Sequence, residues 1–234
     1  MIPLQFIVEP ERLLLTWQPR DESSSERSRR TVGEVWLDQD RRFRFRYLKD
    51  QPDFSFAREL GFEGFPAFDL RAAEIDAGVA ETLMKRLPPR NREDFPEFLA
   101  QHRLPFPFPG SELALLGYTG AKLPSDGFAL VPQFPPDSVP CDYITEVAGL
   151  RHVFKGDVSA IKPGDPVAFL LDGKNTFDSD AVQVHWHGQQ LGYVNRALCK
   201  VIRNWLSNAQ VHATVERING RPERPLIYVR INAR

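Results

Sequence analysis

Three short segments in the second part of the 234-residue chain carry its most informative chemistry. They are GLRHV at 149–153, GKNTFDSDAV at 173–182 and GYVNR at 192–196. An acidic turn with an aromatic precedes a strand, and a glycine-led return strand ends in a basic residue. A lone carboxylate among cations repels phosphate but accepts a hydrogen bond from a free hydroxyl, and aromatic rings stack on bases. Such a set suits a ligand with bases, phosphates and hydroxyls.

Short strands must position these segments. Between residues 141 and 234 we predict strands in YITEVAGL, DPVAFLLD, DAVQVHWH, QQLGYV, QVHATVERI and LIYVRI, which are rich in β-branched and aromatic residues. The segment RALCKVIRNWLSN at 196–208 has its apolar residues along one helical stripe. Many short strands with one main helix favour a small curled sheet or barrel.

The three segments, in this order and spacing, resemble the HIRAN domain. That family's pattern has a Gly-Leu-Arg-aromatic segment, an Asn-Pro-aromatic-Asp turn before an apolar strand, and a Gly-x-aliphatic strand leading to a helix. The likeness runs from Asp142 to the C-terminus. It implies an OB-like β-barrel that, in DNA-translocating fork-remodelling ATPases, holds the 3′ end of single-stranded DNA.

The resemblance also implies roles for individual residues. Arg151 would contact a phosphate, His152 would stack on a base, Phe177 would be a second stacking surface, and Asp178 would accept a hydrogen bond from the terminal 3′-hydroxyl. An Asx-type turn is the alternative for Asp178, and core packing is the alternative for Phe177. The full predicted DNA-binding set is Arg151, His152, Lys174, Phe177, Asp178, Tyr193 and Arg196.

Residues 1–134 are predicted to form a mixed sheet-and-helix domain. Strands are predicted from the alternation in RLLLTW, VGEVWLD and RRFRFRYL. In the last of them, Phe43, Phe45 and Tyr47 would be buried and the intervening arginines would face outward. The alternative is a nucleic-acid surface made of the arginines and aromatic rings. RAAEIDAGVAETLMKRL, REDFPEFLAQH and SELALLGYTG have helical spacing. FSFARELGFEGFPAFDL has no regular period, and DESSSERSRR at 21–30 is typical of a solvated loop.

This first region resembles the N-terminal subdomain of HipA-type kinases. The likeness rests on the VGE strand, the helix ending in KRLPPR, and the short helix before the glycine turn and strand of SELALLGYTGAKLPSDGFALVP. It implies a surface that docks a protein partner, such as a kinase, a toxin or a DNA-processing enzyme. No kinase core follows in the sequence, so a HipA-like role would be regulatory or adaptor-like.

Charge and proline content divide the chain in two. Four prolines in FALVPQFPPDSVPC at 128–141 predict a boundary, which gives domains at 1–134 and 141–234. Residues 1–140 hold 18 basic and 22 acidic residues, whereas residues 141–234 hold 12 basic and 9 acidic ones. The second domain is thus mildly basic, which suits nucleic acid without requiring it.

The motif content of the sequence favours a protein that is not an enzyme. The sequence has no P-loop pattern, no strand followed by GxGxxG, no GxSxG and no HExxH, and its five histidines form no recognisable catalytic set. Cys141 and Cys199 lack ligand spacing, so neither a disulfide framework nor a zinc site is expected. His185 and His187 would share a strand face, where a solvent-facing pair is preferred over a metal site.

The sequence therefore predicts an α+β protein with a mixed N-terminal domain and a small OB-like β-barrel. We expect a bacterial-type protein that binds single-stranded DNA or DNA ends without cofactor or metal. A cytoplasmic location is expected because the sequence, with 42% hydrophobic residues, has no membrane-length apolar run and no leader. The alternative function is a regulatory partner of a HipA-like kinase or toxin–antitoxin system that acts through protein contacts.

Overall fold

Alternating apolar residues build the first sheet. In a computed structural model, which describes residues 2–19, 28–123, 125–176 and 178–234, the strands β1 (Arg12–Trp17), β2 (Arg30–Leu37), β3 (Phe43–Tyr47) and β4 (Ala129–Gln133) pair in the order β3-β2-β1-β4. Phe45 and Tyr47 are buried while Arg46 is exposed, as the predicted alternation of β3 requires, whereas Phe43 and Arg44 at the start of the strand are both half-buried. Most of the predicted loop at 21–30 lies outside the described residues.

In the ranges that the structure describes, four helices accompany this sheet. They are α1 (Pro52–Glu59), α2 (Val79–Met84), α3 (Phe95–Gln101) and α4 (Glu112–Thr119). Helix α1 lies in a segment that the sequence pattern left irregular. The helix predicted over 71–87 is wrong before Val79, because Gly78 precedes it with a left-handed φ of 68°.

Strand β4 lies inside the proline-rich segment that the sequence suggested as a boundary. Pro132 lies opposite Leu13 of β1, and β4 is at the edge of its sheet. An edge strand tolerates proline because its outward side needs no ladder donor. The proline signal therefore marks a sheet edge as well as the linker that follows it.

The later strands form two further antiparallel sheets. β5 (Cys141–Glu146), β9 (Val211–Arg221) and β10 (Arg224–Ala233) pair in the order β5-β10-β9, and β6 (Val167–Leu171), β7 (Val182–Trp186) and β8 (Gln189–Tyr193) pair in the order β6-β7-β8. The helices are α5 (Leu150–Val153) and α6 (Cys199–Asn208), with short 3-10 helices at Val158–Ala160 and Arg196–Leu198. Trp205 of α6 is 1% exposed and belongs to the buried core.

The predicted α+β class is confirmed, whereas the closed barrel stays a prediction. Within the described residues, single bridges at Ala148–Tyr193 and Pro166–Thr214 connect segments of the two later sheets. The strands β7 and β8 meet through the two-residue turn His187–Gly188, where both residues have positive φ. This turn type matches the twist of a hairpin and aligns β8 with β7.

Internal contacts divide the chain into two compact units. The N-terminal unit contains residues up to Leu4 and Val8–Pro135, and the C-terminal unit contains Gln5–Ile7 and Pro136–Arg234. Gln5–Ile7 reaches the C-terminal unit because the Asp142 backbone N–H donates to the Phe6 carbonyl at 2.9 Å. Among the helices of the described ranges, none has the length and hydrophobicity that a membrane crossing requires.

Candidate nucleic-acid interface

The loop between β6 and β7 holds Asp178 in a hydrogen-bonded turn. The Asp178 backbone N–H donates to Asn175 Oδ1 at 3.0 Å, and the Asp180 N–H donates to Asp178 Oδ1 at 2.9 Å. These contacts form the Asx-type turn that the sequence left open as an alternative. Oδ1 of Asp178 therefore holds the loop conformation, and Oδ2 takes no part in these two hydrogen bonds.

The second oxygen of Asp178 faces Arg196. Arg196 Nε lies 3.3 Å from Asp178 Oδ2, and the two side chains are 46% and 21% exposed. Arg196 begins a 3-10 helix whose first turn is capped by Asn195, since the Ala197 N–H donates to Asn195 Oδ1 at 3.0 Å. A partly exposed ion pair contributes little to stability, so a ligand can compete for either member.

Tyr193 joins the same loop through Asp172. The Tyr193 hydroxyl and the Asn175 side-chain amide both donate to Asp172 Oδ2, each at 3.2 Å. The hydrogen bond from the Gln183 side chain is the largest cause of a lowered pKa at Asp172, and the bonds from Asn175 and Tyr193 lower the pKa further against the opposing effect of burial. Donors on three elements thus converge on one carboxylate.

The helix α5 is held beside β8 by a backbone bridge. The Tyr193 N–H donates to the Ala148 carbonyl and the Ala148 N–H donates to the Tyr193 carbonyl, both at 2.8 Å. A Cβ at Gly192 would lie 2.3 Å from the Ala148 oxygen, so the close approach requires glycine. Gly149, with a φ of 73°, is the N-cap that precedes α5.

Four of the predicted site residues are exposed cations or aromatics near these elements. Arg151 and His152 are exposed on α5, Lys174 is exposed in the turn before Asn175, and Arg196 is exposed after β8. The structure brings Asp178 and Arg196 into contact and links Tyr193 to their loop. The Phe177 prediction lies outside the described residues.

Sequence reasoning missed three members of this network, namely Asp172, Asn175 and Gln183. Asp172 and Asn175 belong to the DGKN turn after β6, and Asp and Asn at a turn are a local signal for side-chain hydrogen bonds. Gln183 carries no such signal, because it is an ordinary half-buried strand residue.

The histidines and cysteines considered as metal ligands in the sequence have other surroundings in the structure. His187 lies in the β7–β8 turn with a φ of 46°, whereas His185 lies within β7 and its Nε2 is 2.8 Å from Gln183 Oε1. The described ranges contain no cluster of three or more His, Cys, Asp or Glu arranged for a metal ion. Both thiols are buried and unbridged, and burial raises the pKa of Cys199 to about 11.

Comparison with known proteins locates a family in the C-terminal unit. The family model for the HIRAN domain matches residues 142–233. A solved structure of the HIRAN domain of human HLTF is 23% identical, with a TM-score of 0.31, and covers 39% of this chain and 74% of that one. A structure of a protein from Lactobacillus plantarum is 17% identical, with a TM-score of 0.29, and covers 39% of this chain and 99% of that one.

The resemblance of residues 1–134 to the N-terminal subdomain of HipA-type kinases stays a prediction. A search of curated proteins found no match to the chain. The network around Asp178 lies wholly within the residues that the family model matches. Residues 142–233 of this chain are a HIRAN domain.

Proposed function

We propose that the HIRAN domain binds single-stranded nucleic acid, with a free 3′ end of DNA as its preferred ligand, and that the protein acts by binding without catalysis. The observation that carries this proposal is the 3.3 Å pair of Asp178 and Arg196. The pair offers a hydrogen-bond acceptor for a hydroxyl beside a cation for a phosphate. A strand end presents these two groups together.

The exposure of this pair supports an exchange mechanism. A backbone phosphate of the ligand takes over Arg196, and Asp178 Oδ2 then accepts the hydrogen bond of the terminal 3′-hydroxyl. Asp178 Oδ1 keeps its bond from the Asp180 N–H and holds the turn. A 3′-phosphate in the same position would meet the carboxylate charge and be rejected.

The remaining predicted residues supply contacts that do not depend on the base sequence of the ligand. His152, Phe177 and Tyr193 are stacking surfaces, each contributing about 1 to 3 kcal/mol per base. Arg151 and Lys174 join Arg196 as phosphate contacts. If three phosphates are neutralised, the logarithm of the affinity falls with the logarithm of the salt concentration with a slope of about −2.

A titration with labelled oligonucleotides that end in a 3′-hydroxyl or a 3′-phosphate tests the proposal. We expect the hydroxyl end to bind about tenfold more tightly, the effect of about 1.4 kcal/mol. Asp178→Asn keeps an oxygen for the Asp180 N–H but removes the charge, so it should abolish the preference.

Asp180→Asn is the matched control. Asp180 belongs to the same loop and lies 3.5 Å from Arg203, so the change removes the same charge away from the Asp178–Arg196 pair. This variant should keep the preference for the hydroxyl end. Equal affinity of the wild type for both ends would contradict the 3′-end proposal, and an affinity insensitive to salt would contradict nucleic-acid binding itself.

We also propose that the N-terminal unit docks a protein partner and acts as an adaptor of a kinase or toxin, in line with its HipA resemblance. Large exposed apolar side chains support this role, since Phe106 is 64% exposed and Phe56 is 48% exposed. A pull-down that recovers a kinase-like protein with the wild type but not with Phe106→Ser would support docking. The same result without salt-sensitive DNA binding would favour the adaptor role over the nucleic-acid role.

A further inference from the structure

Asp172 occupies the base of the loop that carries Asp178. Its backbone N–H donates to the Ala181 carbonyl at 2.9 Å, and its own carbonyl accepts from the Asn175 N–H at 3.1 Å. Its side chain accepts from Tyr193 on β8 and from Asn175 within the loop. One residue therefore connects the end of β6, the loop and the end of β8.

A carboxylate at this position opposes a phosphate ligand by charge. Coulomb repulsion alone predicts that removal of the Asp172 charge would tighten the binding of a polyanion. The hydrogen bonds predict the opposite result, because they hold the Tyr193 phenol and the Asn175 side chain that supports Asp178. The two effects differ in sign, so an experiment can separate them.

We propose that Asp172 is a positioning residue for the nucleic-acid site, which fixes Tyr193 and the hydrogen bond between Asn175 and the Asp178 N–H before ligand binds. This inference rests on the proposed binding of single-stranded nucleic acid. A site that is ordered beforehand avoids the entropy cost of ordering side chains on binding. Asp172 contributes through Tyr193 and Asn175 and makes no contact with the ligand itself.

The test compares oligonucleotide affinities of the full-length wild type, Asp172→Ala, Asp172→Asn and Tyr193→Phe. Asp172→Ala removes the acceptor of Tyr193, Asn175 and Gln183, and loss of the first two hydrogen bonds, which hold the site, should weaken binding about tenfold. Asp172→Asn keeps one acceptor oxygen for the Tyr193 hydroxyl, so it should recover part of this loss. Tyr193→Phe keeps the ring but removes the donor, so the double variant with Asp172→Ala should bind no more weakly than Asp172→Ala alone.

Asp157→Ala is the control for charge. Its carboxylate accepts hydrogen bonds from the Ser159 N–H at 2.8 Å and from the Ser159 hydroxyl at 2.7 Å, and it caps a short 3-10 helix. Its removal changes the net charge equally and should leave affinity unchanged or slightly tighter. Thermal unfolding of every variant identifies losses caused by misfolding, and Tyr193→Phe tests the same hydrogen bond if Asp172→Ala does not fold.

The outcomes separate the two proposals. A wild type that binds while the folded Asp172 variants bind equally well or more tightly overturns the positioning role alone. Additive losses of Asp172→Ala and Tyr193→Phe also overturn it, because independent residues do not couple. A wild type that binds no oligonucleotide overturns both the proposed function and this inference.

Discussion

Replacement of Asp142 by asparagine should lower the free energy of unfolding of the C-terminal unit by about 3 kcal/mol at neutral pH. Asp142 is a carboxylate at the start of β5 and is 1% exposed. Its Oδ1 accepts two hydrogen bonds, one from Arg234 Nη2 at 2.6 Å and one from Asn232 Nδ2 at 2.8 Å. The backbone N–H groups of Gln5 and Phe6 donate to its Oδ2 at 2.8 and 3.3 Å.

The magnitude follows from the four donors around Asp142. Asparagine has one acceptor oxygen, so its amide nitrogen must face either the Gln5 and Phe6 amides or the Asn232 and Arg234 side chains. A buried donor left without its acceptor costs about 1 to 3 kcal/mol, and a buried charge left without its partner costs about 3 to 5 kcal/mol. Arg234 is 35% exposed, so water partly solvates its charge and the lower part of the range applies.

The same contacts predict a pH dependence. Burial is the largest influence and raises the pKa of Asp142, but the hydrogen bonds from Asn232, Arg234, Gln5 and Phe6 together bring it below the ordinary 3.8. A lowered pKa in the folded state means that the charged form stabilises the fold above 3.8, and that this stability is lost as the pH falls through the folded-state value. The difference between wild type and Asp142→Asn should therefore shrink in acid.

Hydrogen exchange in increasing urea measures this effect for the C-terminal unit by itself. Amides of β5 and β10 report its opening, whereas whole-chain signals would mix two units that need not unfold together. Asp157→Asn is the control, because asparagine caps a helix start as well as aspartate does and stability should stay within about 0.5 kcal/mol. A loss below about 1 kcal/mol for Asp142→Asn, the range of exposed ion pairs, would refute the reasoning. An equal loss in acid and at neutral pH would refute the role of the charge.

Two further substitutions test other close contacts. Gly192→Ala places a methyl group 2.3 Å from the Ala148 oxygen. Denaturant unfolding should therefore show the C-terminal unit destabilised by about 1 to 3 kcal/mol, and oligonucleotide binding should weaken. Gly173→Ala is the control and should have neither effect, because its methyl group meets nothing within 4 Å. In the N-terminal unit, Arg86→Met should lower the free energy of unfolding by about 3 to 5 kcal/mol, as measured by hydrogen exchange. Arg86 is 7% exposed and binds Asp126 through two hydrogen bonds of 2.8 and 2.9 Å, so its removal leaves a carboxylate unpaired. The double variant Arg86→Met/Asp126→Leu should recover part of that loss, because it removes the unpaired carboxylate but still leaves the Ala121 carbonyl and the Phe128 N–H without their partners. No recovery at all would mean that the unpaired carboxylate is not the source of the cost.

Local patterns in the sequence were enough to predict most strands of both units. The alternation of RFRFRY buries Phe45 and exposes Arg46 because successive side chains on a strand point to opposite faces. The HIRAN domain was predictable for a related reason, since its segments are short and follow one another at characteristic spacing within residues 142–233. The helix over 71–87 was overextended because its apolar spacing carries no information on the backbone of Gly78.

The tertiary structure decided the contacts between residues far apart in the sequence. Gln5 donates to Asp142 across 137 positions, and no local period predicts that a terminal segment lies beside β5. Tyr193 and Asp172 are 21 residues apart and meet only because the β7–β8 turn returns β8 to the end of β6. The sequence by itself determined which residues form strands and which carry charge, because both properties are local. The tertiary structure determined that Asp178 faces Arg196 and that Asp172 holds Tyr193, because side-chain pairs of this kind depend on how strands are brought together.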